Sequence, residues 1–170
     1  MAVNYRVPGQ RTVYAQPNTM ACWATVFAMM SSWKQGVTFP NIRAAIIPLG
    51  QPWLGYFDGN TGISATVGTA FERAVGLTRE PRSNLSPEGW MSLLQKCGLL
   101  WVTGTLTGGG LHDRILEGIA GDGTGPGTQM YIVDPAGGRR YPETLDIFLK
   151  GFEGQAAVEP FYQDYQILHF

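Results

Sequence analysis

The segment YAQPNTMACWATVFAMM, residues 14–30, places one of the chain's two cysteines at the start of an apolar helical pattern. A thiol acts as a nucleophile only as the thiolate. The first turn of a helix stabilises that anion through its free N–H groups and the positive end of the helix dipole. The position of Cys22 therefore predicts a nucleophile. A nearby imidazole must then take the thiol proton and pass it to the leaving group.

The chain contains two histidines that could serve as this base. His169 is the penultimate residue, and we expect it to be a surface residue or one that packs within the tail. His112 opens a predicted strand directly after the glycines at 108–110. These glycines allow close backbone approach and leave the imidazole facing a cleft. His112 is therefore the predicted general base.

A third group must accept a hydrogen bond from the imidazole and fix its orientation. Asp113 is disfavoured, because adjacent side chains on a strand point to opposite faces. The turn GDGTGPG, centred on Thr124, places position 136 opposite His112. Asp134 is then a diagonal neighbour of His112 within side-chain reach, and Pro135 ends the strand there. The sequence predicts Asp134 as the orienting carboxylate.

Acyl transfer also needs hydrogen-bond donors for the oxyanion that forms on the attacked carbonyl. The side-chain amide of Gln16 and the backbone N–H of Cys22 are the predicted donors. The alternative for Gln16 is a loop residue whose side chain bonds the backbone. Neither these residues nor their spacing indicates a metal ion or a cofactor, and we expect none.

The string QPNTMACWA, with Gln16 six residues before Cys22 and Trp23 directly after it, resembles the nucleophile segment of papain-like cysteine peptidases. The order Gln, Cys, His, Asp matches that family. CGLLWVTGTLTGGGLH and VDPAGG resemble the histidine and aspartate segments of its small bacterial members. These members are the peptidase domains of bacteriocin transporters and the papain-like effectors delivered into other cells.

The order of predicted elements favours an α+β fold, and the resemblance implies a papain-like one. We expect a single domain, 1–170. Its N-terminal helical lobe, about 15–98, carries the Cys22 helix, and its C-terminal antiparallel sheet lobe, about 99–170, carries His112 and Asp134.

Three helices support this division. The first begins near Ala21, with Asn18 or Thr19 as its cap. SPEGWMSLLQKCG has Ser86 as its cap and predicts Cys97 as a core residue. PETLDIFLKGF predicts a last helix. Between the second and third helices, LLWVTGTL, LHDRILEGIA and TQMYIVD read as strands. Trp53, Tyr56 and Phe57 either line the cleft or pack over a lobe edge.

The composition of the chain limits the classes of partner that it can bind. The net charge of −1 and the absence of a basic run argue against nucleic acid, and no stretch is long and apolar enough to span a membrane. The start of the chain lacks a signal-peptide pattern. Two cysteines do not make a disulfide framework, and a bridge between Cys22 and Cys97 is not expected.

The resemblance implies a cysteine endopeptidase that acts on protein or peptide substrates. We expect a bacterial effector or toxin domain, delivered by a secretion system into a target-cell cytosol and restrained in the producer by a cognate inhibitor protein. Two alternatives stay open. One is a catalytically silent peptide-binding domain of the same fold, and the other is an acyltransferase or murein amidase using the same triad.

Overall fold

The computed structural model describes residues 1–9, 12–105, 110–157 and 166–170, without the side chains of residues 65, 66 and 155–157. The described residues form an α+β fold with six α-helices and one seven-stranded antiparallel sheet. The helices are α1 (Cys22–Gln35), α2 (Ile42–Ile46), α3 (Trp53–Asp58), α4 (Ala65–Val75), α5 (Pro87–Cys97) and α6 (Leu145–Ala157), with a 3₁₀ turn at Ile47–Leu49.

The sheet order is β2-β7-β3-β4-β5-β6, and β1 pairs with β4 off this path. The strands are β1 (Val3–Arg6), β2 (Thr78–Arg79), β3 (Leu100–Thr105), β4 (Leu111–Gly121), β5 (Thr128–Asp134), β6 (Arg139–Thr144) and β7 (Ile167–His169). Within the described ranges, no helix has the length and apolarity of a membrane span.

Helix α1 is the buried helix that carries the predicted nucleophile. Every side chain of α1 from Trp23 to Ser32 is buried. Gly36 ends the helix at φ 67°, a left-handed conformation that glycine adopts without strain. The expected cap at Asn18 or Thr19 is wrong. The N-cap is Ala21, which makes no side-chain capping bond, so the first N–H groups of α1 have no side-chain acceptor from their own cap.

Helix α5 has the predicted boundaries. Ser86 accepts a hydrogen bond from the Gly89 N–H at 3.2 Å, and Pro87 occupies the first helical position. The prediction that Cys97 is a core residue is wrong. Its thiol is half-buried at the last position of the helix, because the buried stripe runs through Trp90 and Leu94 and ends one turn earlier.

Helices pack on both faces of the sheet. Phe71 of α4 makes an edge-to-face contact with Trp101 of β3, with ring centroids 6.2 Å apart. Gly151 of α6 lies against Gly104 of the same strand. Because side chains alternate along a strand, Trp101 and Thr103 face one layer of helices and Gly104 faces the other.

The predicted strands β3, β4 and β5 are present, but the sheet is larger than the pattern indicates. β1 and β2 come from before residue 98, so strands from both halves of the chain share one sheet. The predicted start of the last helix is wrong. Pro142 to Thr144 belong to β6, where they pair with β5, and α6 begins at Leu145.

The structure also bears on the predictions for His169, for the aromatic residues of 53–57 and for the cysteines. His169 is not a surface residue but is buried in β7, which pairs with β2. Trp53 and Phe57 pack in the core, whereas Tyr56 is half-buried. Both cysteines are free thiols. Gly108 and Gly109, for which close backbone approach is predicted, lie outside the described residues.

Candidate active site

His112 and Asp134 are joined at the ends of neighbouring strands. Nε2 of His112 lies 2.7 Å from Oδ1 of Asp134, and both side chains are buried. β4 and β5 pair antiparallel, with Ile115 opposite Val133. That register places Asp134 diagonally opposite His112, as the position of the turn predicts. The strand pairing therefore brings together two of the predicted site residues.

The contact with Asp134 determines which nitrogen of His112 is left for chemistry. A carboxylate only accepts hydrogen bonds, so Nε2 carries the proton and donates it to Oδ1. Nδ1 makes no hydrogen bond to any described residue and keeps its lone pair. A neutral imidazole in this tautomer can take a proton at Nδ1 while Asp134 stabilises the resulting positive charge.

Asp134 is held as a carboxylate by three donors. Oδ1 also accepts from the Ala136 N–H at 2.8 Å, and Oδ2 accepts from the Tyr141 hydroxyl at 3.1 Å. Burial alone would raise the pKa of Asp134. The hydrogen bonds from His112, Ala136 and Tyr141 outweigh that effect and hold the pKa below its ordinary value. Asp134 is therefore ionised at neutral pH.

Cys22 is the first residue of α1, and its thiol contacts the strand residue next to His112. Sγ donates to Oδ2 of Asp113 across 3.6 Å. Oδ1 of Asp113 accepts from the Thr103 hydroxyl at 2.7 Å, so this carboxyl bridges β3 and the start of α1. Asp113 does not contact the imidazole, as strand alternation predicts, but its contact with Cys22 was not predicted. In the described residues no hydrogen bond joins Cys22 to His112.

The surroundings of Cys22 favour the protonated thiol. Burial, and then the negative charge of Asp113, raise the pKa of Cys22 to about 12. Burial also raises the pKa of Asp113 itself, against the hydrogen bonds that it accepts. The expectation that the helix start lowers the thiol pKa is therefore wrong for this arrangement. A dipole effect of about 1 kcal/mol is smaller than the desolvation of a buried anion beside a carboxyl group.

Gln16 lies in the loop that leads to α1. Its Nε2 donates to the carbonyl oxygens of Asn18 at 2.9 Å and Thr19 at 3.2 Å, while Oε1 is buried and has no hydrogen-bond partner among the described residues. The backbone N–H of Gln16 donates to the Pro135 carbonyl at 2.8 Å. This bond fixes the loop against the turn that follows Asp134. The amide predicted to bind an oxyanion is thus engaged with its own loop.

A family model described as papain-like cysteine protease AvrRpt2, peptidase family C70, matches residues 1–153. The chain belongs to this family. It is a papain-like cysteine protease of the bacterial effector type, a hydrolase that cleaves peptide bonds in protein substrates. No curated protein matches the chain at a significant level.

The protease has a cavity of about 520 Å³ beside the His112–Asp134 pair. Arg114, two residues from His112 on β4, donates to Glu143 at 2.9 Å and to Tyr141 at 3.3 Å on its wall. The cavity therefore offers charged and hydroxyl groups next to the imidazole. Its walls come from β3, β4, β5, β6 and α6: Gly104, Thr105, His112, Arg114, Asp134, Tyr141, Glu143, Ile147, Lys150 and Gly151.

Sequence reasoning missed two side-chain contacts with the predicted set, from Tyr141 and Asp113, and the contact of Thr103 with Asp113. Tyr141 donates to Asp134, Thr103 donates to Asp113, and Asp113 accepts from Cys22. Of these residues, only Thr103 could have been inferred from the sequence, because a hairpin of β3 and β4 pairs it with Asp113. Tyr141 lies on a strand that the sequence pattern did not predict.

Proposed function

We propose that this protease is an endopeptidase in which Cys22 is the nucleophile, His112 the general base and acid, and Asp134 the orienting carboxylate. The observation that carries the proposal is the 2.7 Å contact between His112 Nε2 and Asp134 Oδ1, with the Cys22 thiol held against the next residue of the same strand. The pair leaves Nδ1 for proton transfer. The thiol contacts Asp113, whose side chain leaves β4 on the face opposite to that of His112, so the mechanism requires the Cys22 side chain to turn from Asp113 towards the imidazole.

The chemistry follows from these assignments. The thiol proton of Cys22 passes to Nδ1 of His112 as Sγ attacks the substrate carbonyl carbon, and the carbonyl oxygen becomes an oxyanion. When the C–N bond breaks, the imidazolium returns its proton to the leaving amine, and a thioester forms on Sγ. His112 then takes a proton from water, the hydroxide attacks the thioester, and the proton returns to the departing sulfur.

Proton transfer from Cys22 requires the thiol to exchange its partner. In the resting arrangement the thiol donates to Asp113, and the pKa of Cys22 is about 12. A substrate carbonyl placed beside Sγ, with Nδ1 of His112 as the acceptor, allows the proton to leave as the new bond forms. No free thiolate is then needed, because the proton moves during the attack.

The oxyanion needs two donors. The backbone N–H of Cys22 is one of the first helical N–H groups, which have no intrahelical acceptor. Nε2 of Gln16 is the second donor in this proposal, and it must release one of its two loop carbonyls to reach the oxyanion. The bond from the Gln16 N–H to Pro135 keeps that loop beside the turn after Asp134.

We further propose the domain and lobe division predicted from the sequence: one domain over 1–170, with α1 in a helical lobe and β4 and β5 in a sheet lobe. Contacts of α1 with β4 support a site between these two elements. The proposal also assigns an effector or toxin role against target-cell proteins, delivery into the target-cell cytosol, and a cognate inhibitor protein in the producer.

Cleavage-site profiling on a whole-cell lysate tests the proposed function. The lysate is treated with the wild type, Cys22→Ala or Cys22→Ser, and new protein N-termini are sequenced by mass spectrometry. Wild type should generate new N-termini that share a sequence pattern, and both variants should generate none. The hydroxyl of Cys22→Ser keeps the size and polarity of the side chain, so it separates the loss of sulfur chemistry from a packing defect.

Circular dichroism and a thermal melt of each variant establish that it folds. New N-termini from either folded variant at the wild-type level would overturn the assignment of Cys22. No new N-termini from a folded wild type would overturn the endopeptidase itself.

A further inference from the structure

A second cluster of reactive side chains lies where three chain segments meet. Glu80 directly follows β2, Cys97 ends α5, and His169 lies in β7. One ligand atom from each of the three, a carboxylate oxygen, Sγ and a ring nitrogen, lies within 4.8 Å of the other two. None of the three lines the cavity beside His112. The cluster is therefore separate from the proposed catalytic residues.

We propose that Glu80, Cys97 and His169 bind a zinc ion through three protein ligands, with solvent completing a tetrahedral set. Carboxylate oxygen, thiolate sulfur and imidazole nitrogen are the three ligand types that zinc takes in proteins. A carboxylate, a thiolate and a neutral imidazole together carry two negative charges, which the divalent cation balances. The charge of the zinc ion thus balances the charges of its three ligands, and no further charged residue is needed.

His169 is already oriented as a metal ligand would be. Its Nδ1 lies 3.2 Å from the Phe170 carbonyl oxygen, to which it donates when protonated. When zinc takes the place of the proton on Nε2, Nδ1 keeps its own proton and donates it to the Phe170 oxygen, as metal-bound histidines commonly do with their other nitrogen. Nε2 lies 2.8 Å from Oε1 of Glu80. Zinc would replace the proton these atoms share, with each atom about 2.0–2.2 Å from the ion.

The cluster is sheltered from solvent but not sealed. The side chains of His169 and Glu80 are 11% and 25% exposed, which leaves an approach for an ion and room for one solvent ligand. Burial and then the charge of Glu80 raise the pKa of Cys97, whereas nearby Lys96 lowers it. A divalent cation would displace the thiol proton and cancel the repulsion from Glu80.

Bound zinc would fasten a short strand. β7 pairs with β2 through His169 and Leu168, and with β3 through Leu168 and Ile167. Because β7 has so few backbone hydrogen bonds to its neighbours, its place in the sheet depends on side-chain contacts. A metal ligand on His169 that also links the end of α5 and the residue after β2 would hold β7 in the sheet.

Cobalt titration tests the site, because Co²⁺ takes the same ligands as zinc and reports a thiolate ligand by near-ultraviolet sulfur-to-cobalt charge transfer. The titration uses metal-free Cys22→Ala protein, so that the other cysteine cannot bind the ion. Cys97→Ser and His169→Gln are added to this background as site variants. Glu153→Gln is the matched carboxylate control, since Glu153 is exposed on α6.

The background protein and the Glu153→Gln control should bind one equivalent of Co²⁺ with the charge-transfer band, and zinc should displace the cobalt. Cys97→Ser should lose the band, and His169→Gln should weaken binding at least about 100-fold. Zinc should also raise the melting temperature of the background protein but not that of either site variant.

Two results would overturn the proposal. One is no stoichiometric binding to the folded background protein, which would leave Glu80 and His169 as an ion pair. The other is an unchanged band and affinity in Cys97→Ser. If Cys97→Ser fails to fold, the affinity of folded His169→Gln decides the question, because an unchanged value there excludes the site.

Discussion

Asp113 and Asp134 are two carboxyl groups of nearly equal exposure, 5% and 6%, near the same imidazole. Their pKa values shift in opposite directions. Burial raises the pKa of Asp113, whose partners are the Thr103 hydroxyl and the Cys22 thiol. Burial opposes ionisation of Asp134 as well, but the hydrogen bonds from His112, Ala136 and Tyr141 outweigh it and lower the pKa. The balance between the depth of burial and the hydrogen bonds and charge of the partners decides the ionisation of each group.

The opposite pKa shifts indicate different roles for the two carboxyl groups. Asp134 is equipped to remain ionised and to balance a positive charge on His112. Asp113 accepts from the thiol of Cys22 and disfavours its ionisation. If this comparison is right, removing one carboxyl should impair catalysis and removing the other should make the thiol more reactive.

Among changes to the two carboxyl groups and their partners, Asp134→Ala should have the largest effect. We expect kcat to fall about 10²–10⁴-fold, because His112 loses the acceptor that fixes its tautomer. Steady-state kinetics on a peptide from the cleavage profile measures this. Asp134→Asn is the control, and it should recover much of the rate because an amide oxygen still accepts from Nε2. Activity of Asp134→Ala within a few-fold of wild type would contradict the assignment.

Asp113→Asn should have the next largest effect, on thiol reactivity. We expect Cys22 to be alkylated faster at fixed neutral pH, because removing the carboxyl charge takes away the second largest cause of its raised pKa. Burial, the larger cause, should still hold that pKa above its ordinary value. Mass spectrometry of labelled peptides gives the rate, with labelling of Cys97 as an internal reference. A slower reaction at Cys22 would refute this role of Asp113.

Tyr141→Phe should have a smaller effect on turnover. The hydroxyl supplies one of three donors to Asp134, so we expect about a 2–5-fold loss in kcat, equivalent to part of one hydrogen bond. The same kinetic assay measures it. A loss as large as that of Asp134→Ala would mean that Tyr141 takes part in the chemistry directly.

The smallest expected effects are on stability. A group whose pKa is lower in the folded than in the unfolded protein stabilises the fold at pH values above its unfolded-state pKa. The contribution of Asp134 to the free energy of unfolding should therefore fade as pH falls below about 4. A group whose pKa is raised in the folded protein has the opposite effect, so Asp113→Asn should gain stability relative to wild type as pH rises above about 4. Urea unfolding across pH measures both trends. Parallel trends for Asp134→Asn and Asp113→Asn would contradict the comparison.

The sequence was sufficient to predict the contact between His112 and Asp134 because strand pairing is a local, period-two rule. Turn centring on Thr124 implies the register that pairs Ile115 with Val133. Near the turn the strands pair differently, with Gly121 opposite Thr128, and a bulge between Leu116 and Gly118 joins the two registers. The predicted register therefore holds at the site although it fails beside the turn.

Features that depend on packing between distant segments could not be predicted. The contact of Cys22 with Asp113 requires α1 to lie against β4, for which residues 14–30 give no signal. β1 and β7 are short strands whose partners lie far along the chain, so neither shows a usable alternation. The burial of His169, and its meeting with Glu80 and Cys97, follow from the pairing of β7 with β2.

The central claim is that Cys22, His112 and Asp134 act as one catalytic unit, and a multiple-mutant comparison of kcat tests it most directly. We expect Cys22→Ala and His112→Ala each to lower kcat about 10³-fold or more, and the triple variant with Asp134→Ala to be no worse than Cys22→Ala alone. Losses that multiply across the three positions, or near wild-type turnover by folded His112→Ala, would contradict it.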